Sequence, residues 1–392
     1  MVPNVMFVVP SLIRAGAETQ VIDLVNQIDP GQMRVHLFTF ERQLDLLEKL
    51  DRSKVSHHQC VRRSKYDLQP ARELGRLIDE LEIDVVHCTL QFALLCGWLA
   101  RRYSRRQPRL IVSVHTTLNR DFKGDVLDWV MYQWLMRACD QIIFVCDAQR
   151  HHWIRRFPFI AATAVTIHNG INVARFDPSQ TAPAGVALRA QLGIPADAVV
   201  LAHVAAFRPE KAHQVLLQAL AQVMPELPEL QVIFAGDGPL RSAITEQGRQ
   251  LGLAPRLHFT GSLPDVRPVL AAADFSVLPS IAVETFSLAM LESLALEVPM
   301  IASDLGGARE AVLQGETGAL VPPGQVAELA AALRALCRDA AGRRRMGQRG
   351  RQLVLERYDG AMMAQKTADA VLQCVRSAPG AARLPYAKSM GK

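Results

Sequence analysis

Two carboxylates bracket the segment ETFSLAMLE, Glu284 opening it and Glu292 closing it eight positions later (292 − 284 = 8). A carboxylate pair does one of three things: it serves as the acid and base of a hydrolase, it is plain surface charge, or it grips the hydroxyl groups of one ligand. The residues between the two have helical spacing, and FSVLPS (275–280) just upstream reads as a strand. A helix is therefore expected to begin near residues 285–287, with Glu284 in the loop before it and Glu292 about two turns in. At 1.5 Å of rise per residue the carboxyls stand roughly 10 Å apart, on either side of the helix N-terminus. Glycosidase pairs lie at about 5–9.5 Å, so distance alone leaves a hydrolytic pair open. The helix end between the carboxylates tilts the reading: N–H donors flanked by two hydroxyl-seeking groups suit a sugar–phosphate–ribose ligand. A helix-capping Glu284 with a surface Glu292 is the plainer alternative.

RPEKAH (208–213) has a similar placement, after the apolar run VVLAHVAAF (199–207) and before AHQVLLQALAQV. Arg208 and Lys211 are expected at a helix N-terminus, where free N–H groups and the dipole already favour an anion. Two cations there suit a diphosphate; a solvated helix start beside Glu210 is the alternative. In the first half, SLIRAGAETQ (11–20) carries Gly16, which permits close backbone approach to a ligand. It is not G-x-G-x-x-G, so the dinucleotide fingerprint is absent. His115 ends the run LIVSVH, where it either faces a ligand or is structural. GDGP (236–239) reads chiefly as a turn.

These loops need strands and helices to hold them, and the chain supplies both in alternation. VMFVV (5–9), VHLFTF (35–40), DVVHC (84–88), LIVSVH (110–115), QIIFVC (141–146) and AVTIHN (164–169) are short, apolar runs, as expected of strands buried on both faces. Helical stretches such as AETQVIDLVNQI and ARELGRLIDELE separate them. After FDPSQTAPAGV (176–186), an aperiodic segment read as a linker, the rhythm restarts with strands in 199–207, 230–238, 257–261, 275–280, 299–304 and 318–323. The fold class is α/β: two Rossmann-like domains facing a cleft, 1–178 and 187–357, with a helix at about 358–377 and a disordered tail over 378–392. In such sheets ligands bind beyond the carboxyl ends of the strands.

Bulk properties bound the rest. A chain of 392 residues, 49% hydrophobic and 21% charged, is an ordinary globular protein with room for two domains. Its seven cysteines show no C-x-x-C or Cys/His ligand spacing, which fits a reducing cytoplasm and argues against zinc. The start MVPNVMFVVPSL lacks a basic n-region, and FALLCGWLA (92–100) is half the length a bilayer crossing needs. A net charge of +6 and a pI of about 9.0 fit an anionic partner: a phosphate-bearing substrate, a membrane surface or a nucleic acid.

Taken in order, these motifs resemble family 4 of the retaining glycosyltransferases, with its type B fold, over nearly the whole chain. The family's E-x7-E corresponds to Glu284 and Glu292 within SIAVETFSLAMLESLALEVPMIASDLGGARE. RPEKAH, GDGPLR, FTGSLPDVRPVLAAADFSVLPS and GETGALVPPG follow the family's pattern, as do AGAET, SVHTTL and AVTIHNGINVARF upstream. The resemblance implies sugar transfer from a nucleotide diphosphate donor, expected to be a UDP-sugar, to a glycan or lipid-linked acceptor with retention, and no metal or other cofactor. Glu292 would bind the ribose hydroxyls and Glu284 the donor sugar, with the backbone around Thr285, Phe286, Ser287 and Leu288 holding the diphosphate or sugar. Arg208 and Lys211 would neutralise the leaving group, Gly16 would let its loop approach the phosphates, and His115 would touch the sugar near the reacting centre. The last helix would cross back onto the first domain.

The sequence departs from the pattern in four places. The family's G-G-x-E is here Ala15-Gly16-Ala17-Glu18, Ala206 stands where many members carry Arg, Ala212 follows Lys211 in place of Gly, and EGFG has become ETFS. None removes a charge from the expected site.

Five arginines at 101, 102, 105, 106 and 109 (Arg101, Arg102, Arg105, Arg106 and Arg109) form either a solvated basic face or a surface for anionic lipid, which would make the protein peripheral on the cytoplasmic face of a membrane. No stacking motif accompanies them, so a nucleic-acid partner is not expected. A nucleotide-sugar epimerase or a phosphorylase of the same fold is the nearer rival.

Overall fold

The computed structural model describes residues 2–64, 66–115, 131–282 and 284–376. The tail expected over 378–392 and the TTL of SVHTTL lie outside them. The chain forms two compact units. Among the described residues, 2–115, 131–168 and 363–376 make up the first and 169–362 the second.

The first unit is a seven-stranded sheet in the order β3-β2-β1-β4-β5-β6-β7: β1 (Asn4–Val8), β2 (Arg34–Thr39), β3 (Val55–Gln59), β4 (Val85–Thr89), β5 (Arg109–Val114), β6 (Gln141–Phe144) and β7 (Ala164–Thr166). Every pairing is parallel. Apolar clusters cover both faces. Helices Gln69–Glu80 and Gln91–Tyr103 pack Leu74, Ile78, Leu94 and Ala100 against Met6, Val8, Val86 and Val112 on one side. Helix Gly16–Gln27 packs Val21, Ile22 and Val25 against Val5, Phe7 and Ile111 on the other. The final helix, Gly360–Arg376, joins this second cluster through Met363, Ala364, Ala368 and Val371, so the chain returns to the first unit, as the family resemblance implies.

The second unit repeats the design with six parallel strands in the order β10-β9-β8-β11-β12-β13. These are β8 (Val199–Val204), β9 (Leu230–Ala235), β10 (Leu257–Gly261), β11 (Phe275–Leu278), β12 (Met300–Ser303) and β13 (Gly318–Val321). The direction of strand order reverses between β1 and β4 in the first sheet and between β8 and β11 in the second, the place where a doubly wound sheet opens a binding crevice.

Two sequence-based expectations fail on local chemistry. The segment read as a linker, 176–186, lies mostly within helix Pro178–Gln191 of the second unit. Asp177 caps that helix by accepting from Ser179 N at 2.9 Å, and Pro178 takes the first helical position, where a missing N–H costs nothing. Gly185 then lets the helix lie against the Ala271 backbone, where a Cβ would come within 2.5 Å. The strand β3 went unread because VSHHQ is an edge strand with three polar side chains in its middle and no apolar run.

Candidate active site

In the second unit the charged loops leave two neighbouring strands at the switch point. β8 and β11 run side by side, Leu201 against Phe275 and Ala202 against Ser276. Because both are parallel, the loops after them, 205–211 and 279–287, emerge at the same edge of the sheet. There Lys211 Nζ donates to Glu284 Oε2 at 2.6 Å, and Ser280 Oγ donates to the same oxygen at 2.8 Å. The backbones are tied as well, Ile281 N donating to Glu210 O at 3.0 Å. The side chains of Lys211 and Glu284 are 21% and 12% exposed, so the pair is shielded but within reach of a ligand.

Arg208 and Lys211 are not at the start of an α-helix. A 3-10 turn, Pro209–Lys211, comes first, then Ala212 in the left-handed region (φ 52°, ψ 38°), and only then helix His213–Val223. The turn aims Lys211 at Glu284 and leaves Arg208 exposed, its side chain without a hydrogen bond or ion pair among the described residues. Two glycines shape this loop from β9. Gly236 (φ 142°) lies so close to the Ala205 carbonyl that a Cβ would collide with it, and at Gly238 (φ 157°) a Cβ would come within 2.6 Å of Phe207 O. GDGP, read as a turn, is chiefly a close approach that fixes the segment leading to Arg208, and the turn itself falls at Pro239–Leu240, closed by Arg241 N donating to Gly238 O at 3.1 Å.

The helix after Glu284 runs over Leu288–Ala295, with Ser287 as its extended N-cap (φ −71°, ψ 132°). It starts within one residue of the expected 285–287, and Glu292 is its fifth residue (292 − 288 + 1 = 5), partly exposed in the second turn. Thr285 and Phe286 are held out of the helix by other loops. Gly307 N donates to Thr285 O at 2.7 Å, Asn169 Nδ2 donates to Phe286 O at 3.0 Å, and the Phe286 ring packs on Tyr358 at 5.2 Å. Gly306 (φ 58°) sits where a Cβ would strike the Glu284 carbonyl. No side chain caps the helix, which leaves its first-turn N–H groups for a ligand oxygen.

Behind Lys211 lie two buried histidines. His213 stacks on Phe207 at 4.1 Å and meets the edge of His203 at 4.5 Å. Desolvation brings His203 down to about 4 and His213 to about 2, the nearby lysine adding to both, so the rings stay neutral.

The first unit carries its two expected residues at the carboxyl edge of its own sheet. Gly16 opens the helix that follows β1, and a Cβ there would meet nothing within 4 Å, so internal packing does not demand the glycine. His115 ends β5, partly exposed, with desolvation lowering its pKa to about 4.

Sequence profiles agree with this layout. The profile described as "Glycosyl transferases group 1" matches residues 187–353, and "Glycosyltransferase Family 4" matches residues 14–175. The chain is 30% identical over 408 residues to the D-inositol 3-phosphate glycosyltransferase of Kineococcus radiotolerans, covering 93% of this chain and 90% of that one. The chain is a group 1 glycosyltransferase. This glycosyltransferase is also 31% identical over 316 residues to the phosphatidyl-myo-inositol mannosyltransferase of Mycobacterium leprae, covering 80% of it and 79% of the relative. Its fold is that of Anabaena HepE in complex with UDP-glucose (TM-score 0.80, 23% identity, 94% and 99% of the two chains covered).

Of the residues expected from the sequence, the glycosyltransferase joins Lys211 directly to Glu284 and sets Thr285, Phe286, Ser287, Leu288 and Glu292 on the same loop and helix. Sequence reasoning missed Ser280, Asn169 and Gly306. Ser280 looked like a strand end, and the other two act through contacts more than twenty residues away in the chain, although both lie in quoted motifs.

The basic run is not a free positive face. Arg101 and Arg109 both pair with Asp140, at 3.6 and 3.0 Å, and Arg106 reaches Glu82 and Asp84 at 3.5 and 3.4 Å. Arg102 lies over the Trp98 ring at 4.1 Å. Among the described residues no helix is long and apolar enough to cross a membrane.

Proposed function

We propose that the enzyme transfers a sugar from a nucleoside diphosphate sugar to a glycan or lipid-linked acceptor with retention at the anomeric carbon, in the synthesis of a cell-surface polysaccharide or glycolipid. The single observation that carries this is the Lys211–Glu284 pair at the edge of two adjacent strands, one residue for phosphate charge and one for sugar hydroxyls. Lys211 and the exposed Arg208 neutralise the departing diphosphate, so the proposed reaction uses protein cations where a metal would otherwise serve. Glu284 orients the donor sugar, Glu292 the ribose, and the N–H groups at the start of helix Leu288–Ala295 take phosphate or sugar oxygens. No residue among those at the site is cast as a covalent nucleophile. The proposed route is front-face displacement, in which the departing phosphate accepts the acceptor's proton. Gly16 and His115 are assigned to the phosphates and the sugar, respectively.

Anabaena HepE is solved with UDP-glucose, which makes a UDP-sugar the first donor to try. Seven free thiols fit a cytoplasmic setting. An anionic membrane surface, if used, meets chiefly Arg102 and Arg105, since the other three arginines of the run are committed to carboxylates. Calorimetry against UDP-, GDP- and ADP-glucose tests the donor, and NMR of the anomeric proton in the product tests retention. Glu292→Ala is expected to weaken binding of the free nucleotide about tenfold, whereas Glu284→Ala leaves that binding nearly intact and lowers turnover. The opposite pattern would exchange their roles, and binding of none of the three would end the donor assignment.

A further inference from the structure

The two hydrogen bonds to Glu284 end on one oxygen. Oε2 accepts from both Lys211 Nζ and Ser280 Oγ, while Oε1 accepts from no group among the described residues. The carboxylate is thus half committed to the protein and half offered. We infer that Ser280 is the positioning residue of this site: its hydroxyl fixes Oε2 so that Oε1 faces the donor sugar. This rests on the donor reading above and assigns a residue to it.

The two donors to Oε2 differ in kind. Lys211 is an ammonium on a flexible four-carbon stem, and an incoming diphosphate competes for it. A carboxylate held by that lysine alone would shift whenever the phosphates drew the ammonium away. Ser280 has one rotatable bond, no charge, and 1% exposure just past the end of β11. Its backbone neighbour Ile281 is bonded to Glu210 O, in the same turn that presents Lys211. Diphosphate therefore has no hold on the serine, and Glu284 keeps its direction while Lys211 turns to the leaving group. A hydrogen bond to a charged group is worth enough to matter here.

The test uses the full chain with UDP and UDP-glucose as probes, comparing wild type, Ser280→Ala and Ser280→Thr. Calorimetry gives UDP affinity, and UDP release from UDP-glucose with water as acceptor gives kcat and KM. Ser280→Ala is expected to bind UDP within about twofold of wild type, because UDP lacks the sugar that Glu284 meets, while kcat falls about tenfold or more with KM little changed. Ser280→Thr restores the hydroxyl and should return kcat to within about threefold of wild type. An unchanged kcat in Ser280→Ala overturns the assignment. So does a fall in UDP affinity that matches the fall in kcat, which marks a merely structural serine, or a failure of threonine to rescue. Should the alanine variant melt early, Ser280→Cys keeps the volume with a weak donor and is read by the same criteria. Wild type that binds no UDP and releases none from UDP-glucose fails the donor reading instead, an outcome distinct from variants that match an active wild type.

Discussion

The two sheets share a strand order yet finish their switch points differently. In the second unit the loops after β8 and β11 are bonded to each other by side chain and backbone, and a third loop clamps the second of them through Gly306 and Gly307. In the first unit the corresponding loop after β1 presents Gly16, around which a Cβ would find open space, and His115 stands at the end of β5. Among the described residues the bonded charge pair belongs to the second unit, and the two expected residues of the first, a glycine and a neutral imidazole, carry no charge. Under the proposed function the contrast is one of preorganisation: the Lys211–Glu284 pair is fixed before any ligand arrives, and fixed partners suit a group of fixed charge.

The largest effect should come from breaking the built side. Lys211→Ala removes the ammonium and leaves Glu284 half-buried with Ser280 alone, so turnover is expected to fall about 10²–10³-fold. His115→Ala in the first unit removes a neutral ring and should cost about tenfold. Steady-state turnover of UDP-glucose measures both. Equal losses would erase the contrast between the units.

Gly306→Ala and Gly16→Ala form the next pair. At Gly306 the new Cβ meets the Glu284 carbonyl in a left-handed backbone, and about 1–3 kcal/mol of stability should be lost. At Gly16 nothing is struck, and the change should stay within about 0.5 kcal/mol. Urea unfolding separates them. A stable Gly306→Ala chain would mean that the clamp yields.

How much of this was legible in the sequence follows from the range of the interactions. Buried strands such as β1, β4 and β9 announce themselves as apolar runs because both their faces are covered, and Glu284, Lys211 and Glu292 stand out because charge beside a helix start is conspicuous. The edge strand β3 had no such run. Helix Pro178–Gln191 was passed over because its face is largely exposed, although Asp177 and Pro178 spell a helix start. The start of the 288–295 helix, with Ser287 as its N-cap, falls within one residue of the expected 285–287; what stayed hidden is that Asn169 and Gly307 hold the Phe286 and Thr285 carbonyls, because no local pattern records bonds made so far along the chain.

Buried histidines sharpen the same contrast by acid titration. His213 is neutral in the fold with its pKa lowered to about 2, and neither ring nitrogen has a hydrogen-bond partner among the described residues. The unfolded imidazole protonates below about pH 6.5 while the folded one does not, so unfolding takes up a proton and stability falls as pH drops from 6.5, by up to about 1.4 kcal/mol per unit. His213→Phe keeps the stack on Phe207, removes two unpaired nitrogens, and should lower the acid slope between pH 6 and 4.5 by one proton's share, up to about 1.4 kcal/mol per unit, while His203, His87 and His115 keep theirs. In the first unit His87 is equally buried, its pKa lowered to about 3, but it bonds Ser113 at 2.7 Å. His87→Phe should therefore destabilise at neutral pH, where His213→Phe should not. Chemical denaturation across that pH range decides, and an unchanged slope in His213→Phe would show that the ring is not held neutral.

The smallest effect concerns the residue that turns the loop 205–211 into its helix. Ala212 is buried and left-handed, a conformation that costs an L-residue with a Cβ about 1–2 kcal/mol. Glycine would relieve that cost but gains about 0.4–1 kcal/mol of unfolded-state freedom. The difference leaves Ala212→Gly more stable by about 0.5 kcal/mol, read as a small rise in the urea midpoint at constant slope. If the loop is as preorganised as its bonds to β9 and β11 indicate, turnover should stay within about twofold of wild type, because the turn is already fixed. A stabilised chain that turns over several-fold faster would instead show that Ala212 holds Lys211 short of its best position. The second unit would then be less finished than its contrast with the first suggests.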